Sequence, residues 1–536
     1  MRQYLAGRRY LVSFDSEHLP HVFCDVLVIG SGVAGLRAAL AAAQYGKVIL
    51  VAKGALDECN TRLAQGGIAA ALDPRDSVEK HTVDTVAVGQ GLCDEAAVRS
   101  ILTDGPQRVR ELVEFGAEFD LRNGALDLAQ EGGHGMPRIA HAHGDSTGAE
   151  IERILLLMVK RHPNIQRVDH GYALDLITDD GGCRGMFVSD KRWGMMFVWA
   201  KQTILATGGA GQLYRETTGA EVTTGDGIAL AYRAGCELRD LEFMQFHPTT
   251  LYLAGASRIL ITETARGEGA ILRNKDGEAF MKNYHPQAEL APRDVVSRSI
   301  IREMQRTKAT HVYLDFRHMG KEKVLERFPR LRELCKNFEL DLATDMIPVR
   351  PSAHYTVGGV TVDVEGRTNV PNLYACGEVA STGLHGANRL GSNSLLEGLV
   401  CGCRAGANAG AAAKSIQFTP ARVHFESGLD HGDKINVADV SNSLRSLMWR
   451  NVGIERNATL LEEAERMIDL WCGYVLDKEF RTLKGWELQN MLTTAKLMTV
   501  GALRRTETRG VHYRVDFPNR DDEHWQRHIA HRRDNA

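Results

Sequence analysis

Five stretches of the chain concentrate side chains that can bind ligands or move protons. Taken singly, each has an ordinary structural explanation: His247, before Pro248, fits a core histidine bonded to a carbonyl, and Arg293, after Pro292, fits the start of an exposed helix. Asp226, in TTGDGIALAYRAG, likewise fits a helix N-cap. The five stretches are QEGGHGMPRIAHAHGDSTG (130–148), EFMQFHPTTL (242–251), ITETARGEGA (261–270), APRDVVSR (291–298) and the pair PSAHYTVGG (351–359) with HGANRLGSNSLLEG (385–398).

A glycine turn near the N-terminus is the clearest element for holding a ligand. DVLVIG (25–30) is a short apolar run typical of a parallel strand covered on both faces. Gly30, Gly32 and Gly35 follow in G-x-G-x-x-G spacing and open an alanine-rich helix. In this fingerprint the glycines allow a tight turn, the approach of a pyrophosphate and close helix–strand packing. The helix N-terminus then receives the phosphate charge, so the pattern predicts a dinucleotide site.

The second strand of this unit argues against NAD as that dinucleotide. In the NAD-binding fingerprint an acidic residue follows the second strand and binds the ribose. Here KVILVAK (47–53) ends in Val51, Ala52 and Lys53. A different dinucleotide is therefore favoured.

Later segments indicate how the rest of the chain is organised. KQTILATGGAG (201–211) and PNLYACGEVA (371–380) are apolar strands that end in glycine loops, so we expect both loops at the same ligand-binding edge. Residues 246–354 mix helical patterns, prolines and many polar residues, which indicates an inserted domain. After about residue 412, apolar residues recur at helical spacing opposite charged faces and predict a C-terminal helical bundle.

Composition and charge exclude several classes of protein. At 536 residues the chain is too long for one core, and 43% hydrophobic with 25% charged residues is ordinary for a globular protein. A net charge of −3 gives no broad basic field, so we expect no nucleic-acid partner. The first twenty residues lack the apolar core of a signal peptide, and no run of about 18 apolar residues predicts a membrane span. The ten scattered cysteines fit reduced thiols in a cytoplasmic protein without a metal site.

From about residue 20 to 520 the chain resembles the succinate dehydrogenase/fumarate reductase flavoprotein superfamily. The motifs that carry the resemblance are AQGGIAA, QFHPT, RGEGA, HYTVGG and GANRLGSNSLLEG, in that order. These are FAD proteins, which agrees with the missing acidic residue after the second strand. The resemblance implies an α/β fold with a Rossmann-like FAD-binding domain (20–245 and 355–415), an inserted α+β capping domain (246–354) and a C-terminal helical bundle (430–536).

Within this superfamily, QEGGH (130–134) resembles the L-aspartate oxidase family, whose matching glutamate lies near the substrate amine. Succinate and fumarate enzymes lack that acid. LMWRNVGIERN and TRGVHYRVDFP also resemble bacterial members of the family. The resemblance implies oxidation of L-aspartate to iminoaspartate, the first step of quinolinate and NAD biosynthesis. The alternative is a soluble dicarboxylate oxidoreductase like fumarate reductase or succinate dehydrogenase, and a non-enzymatic flavin-binding module is a third interpretation.

A four-carbon diacid needs several positive or donor groups around one cavity, and arginine suits bidentate carboxylate binding. A substrate ammonium additionally needs an acid; Glu131 fits that need, although it also fits an exposed loop acid. Glu263 either joins Glu131 or holds the basic residues, and the sequence leaves both open. The expected substrate ligands are Glu131, Gln245, His247, Thr262, Glu263, His354 and Arg389.

The resemblance also implies the chemistry. Hydride leaves Cα of aspartate for the flavin, which is reoxidised by dioxygen, giving hydrogen peroxide, or by fumarate, giving succinate. In this superfamily an arginine supplies the proton for fumarate reduction, and the matching residue is Arg293; the expected catalytic group adds His247, His354 and Arg389. L-Aspartate, fumarate and dioxygen are thus the expected partners, and the pathway suggests transient contact with quinolinate synthase.

The flavin contacts carried over by motif begin in the glycine turn and continue through the loop after the second strand. In membrane-bound relatives the position of Asn60 holds a histidine bonded covalently to the flavin. An asparagine amide is a poor nucleophile and can offer only hydrogen bonds, so we expect noncovalent FAD. The expected FAD contacts are Gly30, Ser31, Gly32, Val33, Ala34, Gly35, Lys53, Asn60, Thr61, Arg62, Leu63, Ala64, Gln65, Gly66, Gly67, Asp226, Glu378, Ser394 and Leu395.

Overall fold

The computed structural model describes residues 8–253, 259–417, 420, 422–432 and 434–533. Parts of three predictions lie outside the described residues: 1–7 of the N-terminal stretch, 254–258 of the capping segment, and 433 and 534–536 of the C-terminal segment.

Helices and strands alternate through the first half of the chain, and helices dominate the C-terminal part. The helices are α1 Val33–Ala42, α2 Asn60–Leu63, α3 Val78–Val88, α4 Glu95–Phe115, α5 Thr147–Arg161, α6 Asp226–Arg233, α7 Thr264–Gly267, α8 Arg293–Thr307, α9 Lys321–Arg327, α10 Pro329–Lys336, α11 Asn393–Ala413, α12 Val437–Asn451, α13 Ala458–Val475, α14 Leu483–Arg504 and α15 Asp522–Trp525. The strands are β1 Phe14–Asp15, β2 His21–Ile29, β3 Val48–Val51, β4 Ile68–Ala69, β5 Leu121–Arg122, β6 Ala125–Leu126, β7 Leu128–Ala129, β8 Ile139–Ala140, β9 Ile165–Val168, β10 Gly171–Asp179, β11 Gly182–Asp190, β12 Gly194–Leu205, β13 Leu238–Arg239, β14 Met244–Leu251, β15 Ile271–Arg273, β16 Val312–Asp315, β17 Met346–Thr356, β18 Gly359–Thr361, β19 Leu373–Ala375, β20 Ala380–Ser381, β21 His424–Phe425 and β22 Ala530–His531.

A seven-stranded sheet forms the centre of the fold, in the order β10-β11-β12-β2-β3-β9 with β19 beside β12. Strands β19, β12, β2, β3 and β9 run parallel, whereas β10, β11 and β12 pair antiparallel. The residues from Val26 to Ile29 are buried, as a parallel strand covered on both faces requires. The predicted strand–turn–helix–strand unit and the α/β class are confirmed.

A second sheet, β14-β17-β16-β15, is antiparallel throughout. Buried residues between Leu251 and Val349 form a hydrophobic core of their own beside it. Strands β14 and β17 continue through both predicted ends of the capping domain, so the sheet is joined to the FAD-binding part by two paired strands. The exact domain limits stay a prediction.

Helices α12, α13 and α14 pack together after residue 436. Helix α14 is buried along most of its length, from Gly485 to Ala502, because it also packs on α6. Strand β22 then returns to pair with β13. Within the part of the chain that the structure describes, no helix is both long and apolar enough to cross a membrane.

Helices α1 and α11 approach each other at backbone distance. A Cβ atom added to Gly402 would lie 2.4 Å from the Ala34 carbonyl oxygen, and one added to Gly406 would lie 2.2 Å from the Ala38 carbonyl oxygen. Only glycine permits this approach. The close packing brings the N-terminal ends of both helices to the same cavity.

Candidate active site

A single cavity of about 1560 Å³ collects almost all residues that the sequence predicts to bind ligands. It exceeds the roughly 300–1,000 Å³ of common small-ligand pockets, as a dinucleotide together with a substrate would require. Gly35 and Gln245 lie behind its wall. The predicted residues that line it are Gly30, Ser31, Gly32, Val33, Ala34, Lys53, Asn60, Thr61, Arg62, Leu63, Ala64, Gln65, Gly66, Gly67, Glu131, Asp226, His247, Thr262, Glu263, Arg293, His354, Glu378, Arg389, Ser394 and Leu395.

The glycine turn forms one end of the cavity. Gly30 has a φ of +111°, and a Cβ atom there would lie 2.1 Å from the Ala206 carbonyl oxygen, so no other residue fits. Gly35 packs on the turn itself, since its Cβ would lie 1.9 Å from the Gly30 carbonyl oxygen. Gly35 therefore shapes the turn, as its place in the fingerprint predicts, without facing the cavity. The Thr61 hydroxyl accepts a 2.9 Å hydrogen bond from the Val33 amide, in the first turn of α1.

Asn60 is held by protein groups on both sides of its amide. Its Nδ2 donates to Glu378 Oε2 at 3.1 Å, and its Oδ1 accepts from the Ala220 amide at 2.8 Å. The other oxygen of Glu378 accepts from the Thr356 amide at 2.9 Å, and burial raises the pKa of this carboxyl. Asn60, the first residue of α2, thus connects this helix to the segments that carry Ala220 and Glu378.

Lys53 sits between two carboxylates from distant parts of the chain. Its Nζ lies 2.7 Å from Asp226 Oδ2 and 2.6 Å from Glu487 Oε1. Burial alone would lower the pKa of Lys53, but the two carboxylates outweigh it and raise that pKa. Glu487 belongs to α14, so the C-terminal helices contribute directly to the cavity wall, where Lys484 also lies.

Asp226 uses both oxygens on protein donors. Oδ1 accepts from Tyr172 and Asn490, each at 2.8 Å, and Oδ2 accepts from Lys53 and Thr224, each at 2.7 Å. An ionised carboxylate has about four acceptor positions, and all are occupied. Asp226 therefore orients Lys53, and because it also lines the cavity its contact with FAD stays a prediction.

The remaining wall fits FAD. Gln65 Oε1 and Thr207 Oγ1 are buried and lack a hydrogen-bond partner among the described residues, which leaves them for a ligand. Ser394 and Leu395 lie in the first turn of α11, where backbone N–H groups have no intrahelical acceptor. A Cβ atom on Gly66 would meet nothing closer than 3.8 Å, so the space beside it is open. Orphan acceptors, helix N-termini and open space together suit a flat ring with polar edges.

Two adjacent antiparallel strands bring the predicted histidines together. β14 carries His247 and β17 carries His354, and their ring centroids lie 5.3 Å apart. Burial, together with the nearby arginine charges, holds both imidazole pKa values well below 6.5. Both rings are therefore neutral at pH 7. Nδ1 of His247 accepts the Thr249 backbone N–H at 3.3 Å, so its proton resides on Nε2.

Arg389 is fixed by three surrounding groups. Its guanidinium lies 4.5 Å from the Tyr355 ring centroid, and NH1 donates to Ser394 Oγ at 2.8 Å. Nε and NH2 donate to Gln245 Oε1 at 3.1 and 2.9 Å. Burial and the neighbouring Arg293 charge lower the pKa of Arg389 to about 10, so it remains cationic.

The role predicted for Gln245, a neutral donor to the substrate, differs from what the structure shows. Its Nε2 donates to Asn388 Oδ1 at 2.8 Å and to the Arg389 carbonyl oxygen at 2.9 Å, and its Oε1 receives the guanidinium of Arg389. Both ends of the Gln245 amide are hydrogen-bonded to protein groups, and Gln245 does not line the cavity. Gln245 positions Arg389 because it lies directly behind it.

Arg293 is the first member of a buried series of charged side chains. Its Nε donates to Oε2 of Glu263. The other carboxylate oxygen of Glu263, Oε1, lies 3.2 Å from NH2 of Arg266. Arg266 NH1 then donates to the Glu289 carbonyl oxygen at 2.6 Å. Of the two possibilities left open by the sequence, the structure has Glu263 holding the basic residues.

Glu131 is a buried carboxylate and not an exposed loop acid. Its Oε2 accepts from the Ser392 hydroxyl at 2.8 Å, its Oε1 accepts from Thr264 at 3.3 Å, and His141 Nε2 lies 3.6 Å away. Burial alone would raise the pKa of Glu131. The His141 imidazole, the Arg293 charge and the Ser392 hydroxyl outweigh burial and lower that pKa to about 2. Glu131 is thus an anion in the cavity wall.

Thr262 lines the cavity and is linked to Glu131 through a second hydroxyl. Its hydroxyl lies 3.1 Å from Thr264 Oγ1, and Thr264 in turn contacts Glu131. One hydroxyl chain therefore connects Thr262 to the acid.

Several cavity residues were missed by the sequence analysis. Thr207 follows β12, and Thr218 lies farther along the segment between β12 and α6. The glycines at 208, 209 and 211 were the available signal for Thr207. Tyr355 lies within the flagged stretch PSAHYTVGG. Glu487 had no local signal, because only tertiary packing brings α14 to the cavity.

Comparison with known proteins agrees with this geometry. Residues 25–395 match the family described as FAD binding domain, and residues 441–536 match Fumarate reductase flavoprotein C-term. The L-aspartate oxidase of Streptomyces coelicolor is 45% identical, with 95% of this chain and 91% of that protein covered. The L-aspartate oxidase of Vibrio cholerae is 42% identical, with 94% and 97% covered.

A solved structure with the same fold is a point mutant of the E. coli quinol fumarate reductase FrdA. It is 33% identical, has a TM-score of 0.89, and is covered over 94% of its length by 96% of this chain. The predicted fold class and FAD as the cofactor are confirmed. The chain belongs to the L-aspartate oxidase family, within the FAD-binding flavoproteins related to succinate dehydrogenase and fumarate reductase.

Proposed function

We propose that the chain oxidises L-aspartate to iminoaspartate and that fumarate or dioxygen is the final electron acceptor. Bound FAD would supply the acceptor for the Cα hydride and the route of its electrons to fumarate or dioxygen. The observation that carries the proposal is Glu131, a buried anion in a wall otherwise supplied with arginine and histidine donors. Such a wall provides for two carboxylates and one ammonium.

The charges at the substrate end suit a molecule with two carboxylates and one ammonium. Arg293, Arg389 and Arg266 contribute three positive charges, and Glu131 and Glu263 contribute two negative charges, leaving one positive charge in excess. Aspartate with an ammonium and two carboxylates carries one negative charge and neutralises the site.

The side chains divide into carboxylate and ammonium ligands. Arg293 and Arg389 are the cations for the two carboxylates, and neutral His247 donates through Nε2. The hydroxyl of Thr262 is a further donor. Glu131 receives the ammonium, because it is the one anion of this set that lacks an arginine salt bridge among the described residues.

Arg293 also supplies the proton that fumarate reduction requires. Its Nε is held by Glu263, and Glu263 is held by Arg266, so a proton lost from Arg293 can be replaced along this chain. Arginine has a very high solution pKa. The role therefore depends on the buried relay and on exclusion of water from the cavity.

Anaerobic titration of the FAD-loaded protein tests the proposal. L-Aspartate should bleach the flavin absorbance, whereas D-aspartate and L-glutamate should do so poorly. Bleaching by succinate but not by L-aspartate would instead support the alternative dicarboxylate oxidoreductase. No bleaching by any of the four compounds would support a flavin-binding module.

The remaining predicted partners rest on the same proposal. Dioxygen and quinolinate synthase are proposed from the expected chemistry and pathway. A cytoplasmic location is proposed as well; all ten cysteines are free thiols, as expected in a reducing compartment.

A further inference from the structure

We propose that the hydroxyl of Thr218 fixes which nitrogen of His354 carries the proton, and thereby makes His354 a donor to a substrate carboxylate. Thr218 is a positioning residue that acts through His354. The inference deepens the proposed function and rests on its assignment of the cavity to dicarboxylates. It begins from one hydrogen bond: Thr218 Oγ1 lies 2.9 Å from His354 Nδ1, and both residues line the cavity.

Either group could donate in this hydrogen bond, so the other partners of Thr218 decide its direction. Among the described residues, the only other acceptor within hydrogen-bond distance of its hydroxyl is the Ala353 carbonyl oxygen, at a longer 3.4 Å. That oxygen already accepts from the Thr218 amide at 3.0 Å and from the Thr217 hydroxyl at 3.1 Å. A carbonyl oxygen has two lone pairs, and both are used. The Thr218 proton therefore goes to Nδ1 of His354.

The direction of this bond determines the chemistry at the far side of the ring. With Nδ1 acting as acceptor, the neutral His354 imidazole keeps its proton on Nε2. Nε2–H can then donate to a carboxylate. In the opposite tautomer, Nε2 would present a lone pair to the carboxylate and repel it.

His247, the neighbouring histidine, also keeps its proton on Nε2, but a different donor is responsible. Nδ1 of His247 accepts from the backbone N–H of Thr249, a donor that every substitution at position 249 except proline retains. His354 depends on a single hydroxyl instead. The two rings lie 5.3 Å apart and together offer two neutral Nε2–H donors. The site thus gains carboxylate donors without adding positive charge beside Arg293 and Arg389.

Three variants of the FAD-loaded protein test the inference. Thr218→Val removes the hydroxyl at nearly constant shape, and Thr218→Ser retains it. Thr250→Val is the matched control, because Thr250 is on the same strand as His247 and its buried hydroxyl has no hydrogen-bond partner among the described residues. The probe is fumarate, which oxidised flavin cannot reduce, so that binding is measured without turnover. Its dissociation constant is measured from the change in flavin absorbance and by calorimetry.

Thr218→Val should weaken fumarate binding about tenfold, the lower end expected for a hydrogen bond to a charged group. Thr218→Ser and Thr250→Val should bind within about twofold of the unmodified protein. Wild-type affinity in Thr218→Val would overturn the inference, as would equal losses in Thr218→Val and Thr218→Ser or in Thr218→Val and Thr250→Val.

The result is separable from the test of the proposed function. If L-aspartate fails to bleach the flavin but the variants show the expected pattern with fumarate, the assignment of aspartate fails and the role of Thr218 stands. If the unmodified protein does not bind fumarate, the inference about Thr218 is overturned, while bleaching by L-aspartate still decides the proposed function.

Discussion

Replacing Glu131 by glutamine should remove the ammonium ligand while preserving the surrounding structure. Glutamine has the same length, and its amide oxygen can still accept the 2.8 Å hydrogen bond from Ser392. The Thr264 hydroxyl, now 3.3 Å from Oε1, can turn and accept from the new amide. The change therefore alters charge more than packing.

The expected loss is large for aspartate and small for fumarate. Leaving one member of a buried charge pair unpaired costs about 3–5 kcal/mol, and a charge-assisted hydrogen bond contributes about 1.5–3 kcal/mol. At about 1.4 kcal/mol per factor of ten, a loss of about 2–4 kcal/mol lowers kcat/KM for aspartate about 30- to 700-fold. Fumarate has no ammonium, so its reduction should change less than about threefold.

The pH dependence follows from the lowered pKa of Glu131. Because that pKa is about 2, against 4.5 for an ordinary glutamate, the carboxylate remains charged at any pH used for assay. Its contribution to folding stability is complete above about pH 4.5 and is lost as the pH falls towards 2. Glu131→Gln should therefore reduce aspartate oxidation by a constant factor between pH 6 and 9.

The assay pairs two half-reactions on the same FAD-loaded protein: anaerobic bleaching by L-aspartate, and fumarate reduction with a reduced dye. Glu303→Gln is the matched control, because Glu303 is also buried, also has a pKa of about 2, and does not line the cavity. It should retain both activities once folded. Equal losses of both half-reactions in Glu131→Gln, or an aspartate loss shared by Glu303→Gln, would refute the amine-binding role.

Three further predictions concern the proton relay and the cofactor. Arg293→Leu should abolish both half-reactions while FAD remains bound; normal turnover in the flavin-loaded variant would contradict its assignment. With Asn60 in place of a histidine, FAD should appear in the supernatant after acid precipitation, and flavin retained in the pellet would contradict noncovalent binding. Glu487→Gln leaves Lys53 only one carboxylate and should weaken FAD binding several-fold by fluorescence titration, whereas Glu465→Gln, which changes the Lys496 ion pair outside the cavity, should not.

Local patterns were sufficient to predict the glycine turn and the parallel strands beside it. Strand burial depends on nearby apolar residues, and the turn depends on Gly30 and its neighbours, so one short window contains the information. The two histidines were placed in one cavity by resemblance to a family. Their actual proximity comes from the pairing of β14 with β17, which is not encoded near either residue.

The partners of individual polar groups could not be predicted in the same way. Gln245 was expected to face the substrate, yet the Arg389 guanidinium occupies its amide oxygen. The contact of Asp226 with FAD stays a prediction, but its four protein donors, one of them Asn490 from α14, were not predicted. Residue types alone do not show which of several possible donors forms a given hydrogen bond, because the choice of donor depends on packing between distant segments.

Ser392 connects the residue that binds the amine to the flavin loop, residues 60–67. It is a non-glycine residue with a φ of +62°, a conformation that costs about 1–3 kcal/mol and persists only where the surroundings impose it. Its hydroxyl donates to Glu131, while its carbonyl oxygen accepts from the Ala69 amide, just after the Gly66–Gly67 pair, at 3.1 Å. The strained residue therefore connects the acid that binds the ammonium to the strand that follows the flavin loop. A displacement of that loop would move Glu131, so selectivity for the amine depends on the same backbone that holds the cofactor.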